Sequence, residues 1–194
     1  MQARLQHKRG SAVRKRMVRR AGVVFGALLA TGALAGTAAA VLTAESGGAQ
    51  VKVDKRTNNV PSSTSATQWV NVPGANVGVF VPANSSRLYD VPFFAESQCN
   101  GPNGGGACTV RIIAIGPGGA VTELNPQAGA DYAFDSDMAG GLDDLREGHG
   151  MERSKRLSGG ENGTAYMIQV QYAVTDPQSV FTLDETHLAV LTNL

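Results

Sequence analysis

Tyr166, Ile168, Val170, Tyr172 and Val174 alternate with Met167, Gln169, Gln171 and Ala173, a period of two over nine residues with one apolar and one largely polar face. Only an extended strand sends every second side chain to the same side, so this segment covers a core with one face and leaves the other toward solvent. Shorter segments repeat the pattern: Gln68 to Val72, Val77 to Val81, Arg87 to Glu96, Thr109 to Ile115, Ala120 to Leu124, Met151 to Leu157 and Thr186 to Thr192. Turn formers punctuate them at Pro73-Gly74, Pro82 to Asn84, Gly116 to Gly119, Gly159-Gly160 and Asp176-Pro177. The one helical segment, Gly141 to Glu147, is too short for more than a turn or two. The expected fold is therefore all-β: an antiparallel two-sheet sandwich of about eight strands, with a jelly roll as its candidate connectivity. Phe93, Phe94, Ile112, Ile168, Val170, Leu188 and Val190 are the expected core, and Arg111 and Lys155 are expected on outward faces.

The start of the chain obeys different rules. Arg4, Lys8, Arg9, Arg14, Lys15, Arg16, Arg19 and Arg20 form a basic cluster, and the next 24 residues, Ala21 to Ala44, carry no charge. Val23, Val24, Phe25, Leu28 and Leu29 give that segment a centre able to enter a bilayer as a helix. Ala38, Ala39 and Ala40 supply the small side chains a signal peptidase requires, which places cleavage after Ala40. An uncleaved signal anchor is the alternative, because the segment exceeds the ~20 residues that span a hydrocarbon core. Its Ala, Gly and Thr content makes it a weak anchor, and the arginines orient the following domain outward in either case. Val18, Gly22 and Val23 stand where a twin-arginine signal carries other residue types, so Sec export is favoured.

The leader also accounts for the charge balance. Residues 1–40 hold 8 of the 17 basic residues and none of the 16 acidic ones, leaving the remainder at a net charge of −7. An acidic domain repels phosphate, which excludes nucleic acid as a partner. Glu45 to Thr67 is polar and ends in a Ser/Thr-rich tract, too poor in apolar area to offset its own ordering entropy. The expected organisation is a signal peptide or anchor over 1–44, a flexible polar linker over 45–67 and a sandwich over 68–194, with membrane contact only through residues 21–44.

Few residues suggest chemistry. Cys99 and Cys108 bracket a glycine-rich loop between two strands; in an exported chain they are expected to form a disulfide that steadies a hairpin tip. That loop lacks the Gly-Lys-Ser/Thr of a phosphate cradle. Asp135, Asp137, Asp143 and Asp144, with Asp131 and Glu147 nearby, offer the hard oxygen ligands that Ca²⁺ prefers, though Ala139 and Arg146 break an EF-hand pattern. A solvated acidic loop is the competing reading, and no other cofactor is indicated. His149 and His187 each lie beside carboxylates, but without Gly-x-Ser-x-Gly or His-Glu-x-x-His a hydrolase would have to be assembled from distant residues. Trp69, Tyr89 and Tyr132 are the aromatics that could form a sugar-binding platform.

The segments Val91-Pro-Phe-Phe-Ala-Glu-Ser-Gln-Cys99, Thr109-Val-Arg-Ile-Ile113, Phe134-Asp-Ser-Asp137 and Glu147-Gly-His-Gly-Met-Glu-Arg153 resemble parts of uncharacterised small exported proteins of actinobacteria. The resemblance covers most of residues 68 to 194. It implies an exported domain and supplies no activity or functional residue. The expectation is thus a non-enzymatic secreted or surface-tethered sandwich that binds a protein or cell-envelope component. A carbohydrate-binding module, calcium-assisted or not, and an extracellular hydrolase are the alternatives.

Overall fold

The structure, a computed structural model, describes residues 42–47, 50–102, 106–129, 132–136 and 146–193, within the compact unit Ala38–Leu194. The leader, the cleavage position after Ala40 and most of the expected helix over 141–147 lie outside the described residues. Among the described residues eleven strands follow one another: β1 (Leu42–Gly47), β2 (Val51–Asn58), β3 (Ser62–Thr64), β4 (Val70–Val81), β5 (Ser86–Asn100), β6 (Ala107–Ile115), β7 (Val121–Glu123), β8 (Asp135–Ser136), β9 (Glu147–Ser158), β10 (Thr164–Val174) and β11 (Val180–Asn193). No helix among the described residues is long and apolar enough to cross a membrane.

All pairings are antiparallel. One sheet, here sheet A, runs β1-β2-β11-β5-β9, and the other, sheet B, runs β4-β10-β6-β7. Leaving aside β1, β3 and β8, the eight principal strands are ordered first-eighth-third-sixth in one sheet and second-seventh-fourth-fifth in the other. That alternation between layers is the connectivity of a jelly roll. The inward positions of both sheets form one core, from Val72, Val77 and Val81 through Phe93, Ile112 and Ile168 to Phe181, Leu183 and Leu188.

Residues 45–67 correct the expectation of a flexible linker. β2 pairs along its whole length with β11, from Val51 opposite Asn193 to Asn58 opposite Thr186, and β1 pairs in turn with β2. β3 takes the other half of the same β11 edge, with Ser62 to Thr64 opposite Leu183 to Phe181. Ladder hydrogen bonds satisfy the backbone here regardless of side-chain polarity, so a charged segment such as Lys52 to Arg56 enters a sheet without contributing much to the core.

Two further expectations change. Phe94 is 55% exposed while Phe93 is fully buried, because neighbouring residues of a strand point to opposite faces. Lys155 shares the inward side of β9 with Met151 and Leu157 and is half-buried there, where its long stem can cover apolar surface while its ammonium reaches water.

β4 opposes β10 through a bulge. Gln171 faces Asn71 and Gln169 faces Asn76, so Val72 to Ala75 stand against the single residue Val170. Gly74 adopts φ 74° within it, a conformation that excludes most side chains. The buried Gln169 amide nitrogen fills the gap and donates to the carbonyls of Val72, Ala75 and Val170.

Candidate binding site

The first cluster of reactive groups lies at the end of the sandwich that carries the disulfide. Cys99 and Cys108 are bonded, with Cα atoms 5.8 Å apart and both side chains buried. β5 and β6 belong to different sheets, so the bond is not at a hairpin tip: it fastens sheet A to sheet B. Beside it, Ser97 Oγ donates to Asp135 Oδ2 at 2.6 Å and lies 2.8 Å from His149 Nδ1. Phe134 packs its ring on Phe93, His149 and Phe181.

Serine, histidine and aspartate therefore meet, but the hydroxyl is in the middle. Its single proton is directed at the aspartate and Nδ1 of His149 then donates to Oγ, so Ser97 is not paired with His149 as a nucleophile with its base. Ser97 is also only 1% exposed. These residues act as a polar tie between β5, β8 and β9, spanning the two sheets.

Of the proposed calcium ligands, Asp137, Asp143 and Asp144 lie outside the described residues, as does Asp131. Asp135 uses Oδ2 for Ser97 and Oδ1 for the Ser136 N–H. Among the described residues no group of three or more histidine, cysteine, aspartate or glutamate side chains is placed to hold a metal ion.

The three expected aromatics do not share a platform. Tyr89 is a core residue whose hydroxyl donates to the Phe80 carbonyl, and burial raises its pKa. Tyr132 lies against the core with the Arg153 guanidinium 5.0 Å from its ring centre, and burial raises its pKa too. Trp69 flanks the outer face of sheet B, covered on one side by Arg111 at 4.6 Å. Arg111 continues into a cross-strand row, donating to Gln171, which donates to Asn71, while Glu123 sits 3.7 Å away. Burial lowers the Arg111 pKa and Glu123 opposes the shift. The row is internally satisfied.

Sequence reasoning missed an open aromatic surface on the outer face of sheet A. His187 stands directly across from Thr57 on β2 and from Phe94 on β5, and Phe94 faces Gly150 on β9. The Phe94 ring lies against Gly150, where an added Cβ would come within 2.4 Å of it. In the neighbouring row Lys55 faces the short Ala189, and Pro92 forms the far wall. A small residue between larger ones leaves a cleft of about 350 Å³ lined by Lys55, Thr57, Pro92, Phe94, His187 and Ala189. The β5–β11 ladder steps from Leu188–Phe93 to Leu191–Asp90, omitting the position where Pro92 has no N–H to donate.

No family model matches this chain, and no curated protein or solved structure does so either.

Proposed function

We propose that this chain is an exported, non-catalytic domain, secreted or held at the cell surface, that binds a protein or cell-envelope component through the outer face of sheet A. The carrying observation is Phe94: a large aromatic left 55% exposed in the middle of a sheet, beside a cleft that also presents His187 and Lys55. An apolar surface rimmed by a few convergent polar groups is the usual form of a binding site. The basic-then-apolar leader supports export, and the buried disulfide suits an oxidising compartment. The Ser97 proton, directed at Asp135 rather than at a histidine base, supports a non-catalytic reading.

Fractionation of cells expressing the full chain tests the location. The expected result is protein outside the cytoplasm with its cysteines oxidised, and an N-terminus at Val41 if cleavage follows Ala40; reduced, cytoplasmic protein would rule out export. Cosedimentation with the cell-envelope fraction tests the surface. Phe94→Ala should reduce retention by about tenfold or more, on the scale of a lost aromatic anchor, with its unfolding midpoint unchanged within roughly 2 °C. Wild-type protein that does not sediment, or a variant that sediments equally well, would remove the proposal.

A further inference from the structure

Two clefts adjoin on the outer face of sheet A and share Thr57 and His187. The first is the Phe94 cleft. The second, of about 290 Å³, lies over Asn58 and Asn59 and the irregularity in β11 at Glu185 and Thr186. The geometry points to a glycan groove with two subsites: one pyranose ring seated on Phe94, the next over Glu185, and His187 between them. This rests on the reading of sheet A as the binding face and supplies its ligand class.

Size sets the first limit. Both clefts, about 350 and 290 Å³, lie near the lower end of the ~300–1,000 Å³ range for small-molecule sites, room for a single ring rather than a peptide segment. Chemistry sets the second. A pyranose has an apolar C–H face and a rim of hydroxyls that both donate and accept, so it needs an aromatic surface flanked by groups of both kinds. Phe94 supplies the surface, braced from behind by Gly150. Lys55 supplies donors, Glu185 supplies acceptors, and a neutral imidazole at His187 offers one of each. Glu185 forms no ion pair among the described residues, and Lys55 stands across from Glu45 of β1 on the other side. Glu185 has φ 45°, an unfavourable backbone conformation for a residue with a side chain that persists where the surrounding structure imposes it. Here the bulge in β11 imposes it, at the edge of the second cleft.

The test uses the purified protein, NMR, and four disaccharides as probes: cellobiose, mannobiose, galactobiose and chitobiose, each beside its monosaccharide. At least one disaccharide should perturb Phe94, His187 and Glu185 together and bind about tenfold or more tightly than its monosaccharide. Phe94→Ala should weaken both by about tenfold or more. Glu185→Gln should reduce only the disaccharide's advantage, and Ala189→Leu, which fills the floor of the first cleft, should abolish binding. Leu88→Ala, exposed on the same face outside both clefts, should change nothing. Absence of perturbation by all four disaccharides overturns the glycan groove, and equal affinity for one ring and two overturns the paired subsites. Envelope retention that needs Phe94 yet survives periodate oxidation of the envelope glycans would also overturn the groove while leaving the binding face standing. Retention that is absent, or independent of Phe94, removes both.

Discussion

Replacing Cys99 and Cys108 by alanine removes the covalent link between the two sheets. The bonded residues are separated by 9 in sequence, and closing so short a loop restricts the unfolded chain by about 2.6 kcal/mol at room temperature. Both sulfurs are buried, so alanine also leaves two small voids costing roughly 1–2 kcal/mol together. The expected total is about 4 kcal/mol for the double variant, and about 2.6 kcal/mol for native protein reduced in place, which keeps its sulfur atoms. Urea unfolding followed by the fluorescence of Trp69 separates the two quantities. Ser97→Ala, which strips Asp135 and His149 of their shared hydroxyl, should cost about 1.5–3 kcal/mol in oxidised protein. The Ser97 tie and the disulfide hold the same end of the sandwich, so the combined loss should fall short of the sum by at least about 0.5 kcal/mol. Reduction that leaves stability within about 0.5 kcal/mol of the oxidised protein would refute the loop argument, and strict additivity would refute the shared clamp.

Ser179 Oγ is the one buried side-chain polar atom without a hydrogen-bond partner among the described residues, so Ser179→Ala should raise stability by about 1 kcal/mol in the same urea assay. Burial, opposed by Arg87 and reinforced by Asp54, lifts the pKa of Tyr89 above its ordinary 10.0. The fold thus favours the neutral phenol, and this contribution is complete below the unfolded value and lost as pH rises through the higher folded one. Melting temperature should therefore fall above roughly pH 10, and Tyr89→Phe should flatten part of that fall, leaving the remainder to Tyr132 and other groups.

The sandwich was legible wherever one face of a strand is buried, because burial imposes the period of two. Tyr166 to Val174 shows this most clearly. β2 was not legible: Val51-Lys-Val-Asp-Lys-Arg-Thr-Asn is stabilised by the backbone of β11 more than by its own side chains, and composition does not register a partner more than a hundred residues away. The Phe93-Phe94 pair marks another limit. Alternation requires one ring to face outward, and the register that decides which is set by β9 and β11. The disulfide could be read from spacing, but its role could not, since a short connection joins two strands of one sheet as readily as two sheets. Ser97, Asp135 and His149 come together across 38 and 52 residues, and no local motif announces them. Trp69 stands out in the sequence as its single tryptophan, whereas Phe94, exposed beside a cleft, lies in a run that reads as core.

β11 pairs with β2, β3 and β5, at the centre of sheet A. Its position has a consequence for the order of events in folding. β2, β3 and β5 are synthesised long before their shared neighbour and cannot form sheet A without it, so these early strands keep unpaired edges until residue 193 is available. Folding is accordingly dominated by contacts between distant parts of the chain, which makes it slow, and shortening β11 from its C-terminal end would take away the partner of β2 rather than trim a loose tail.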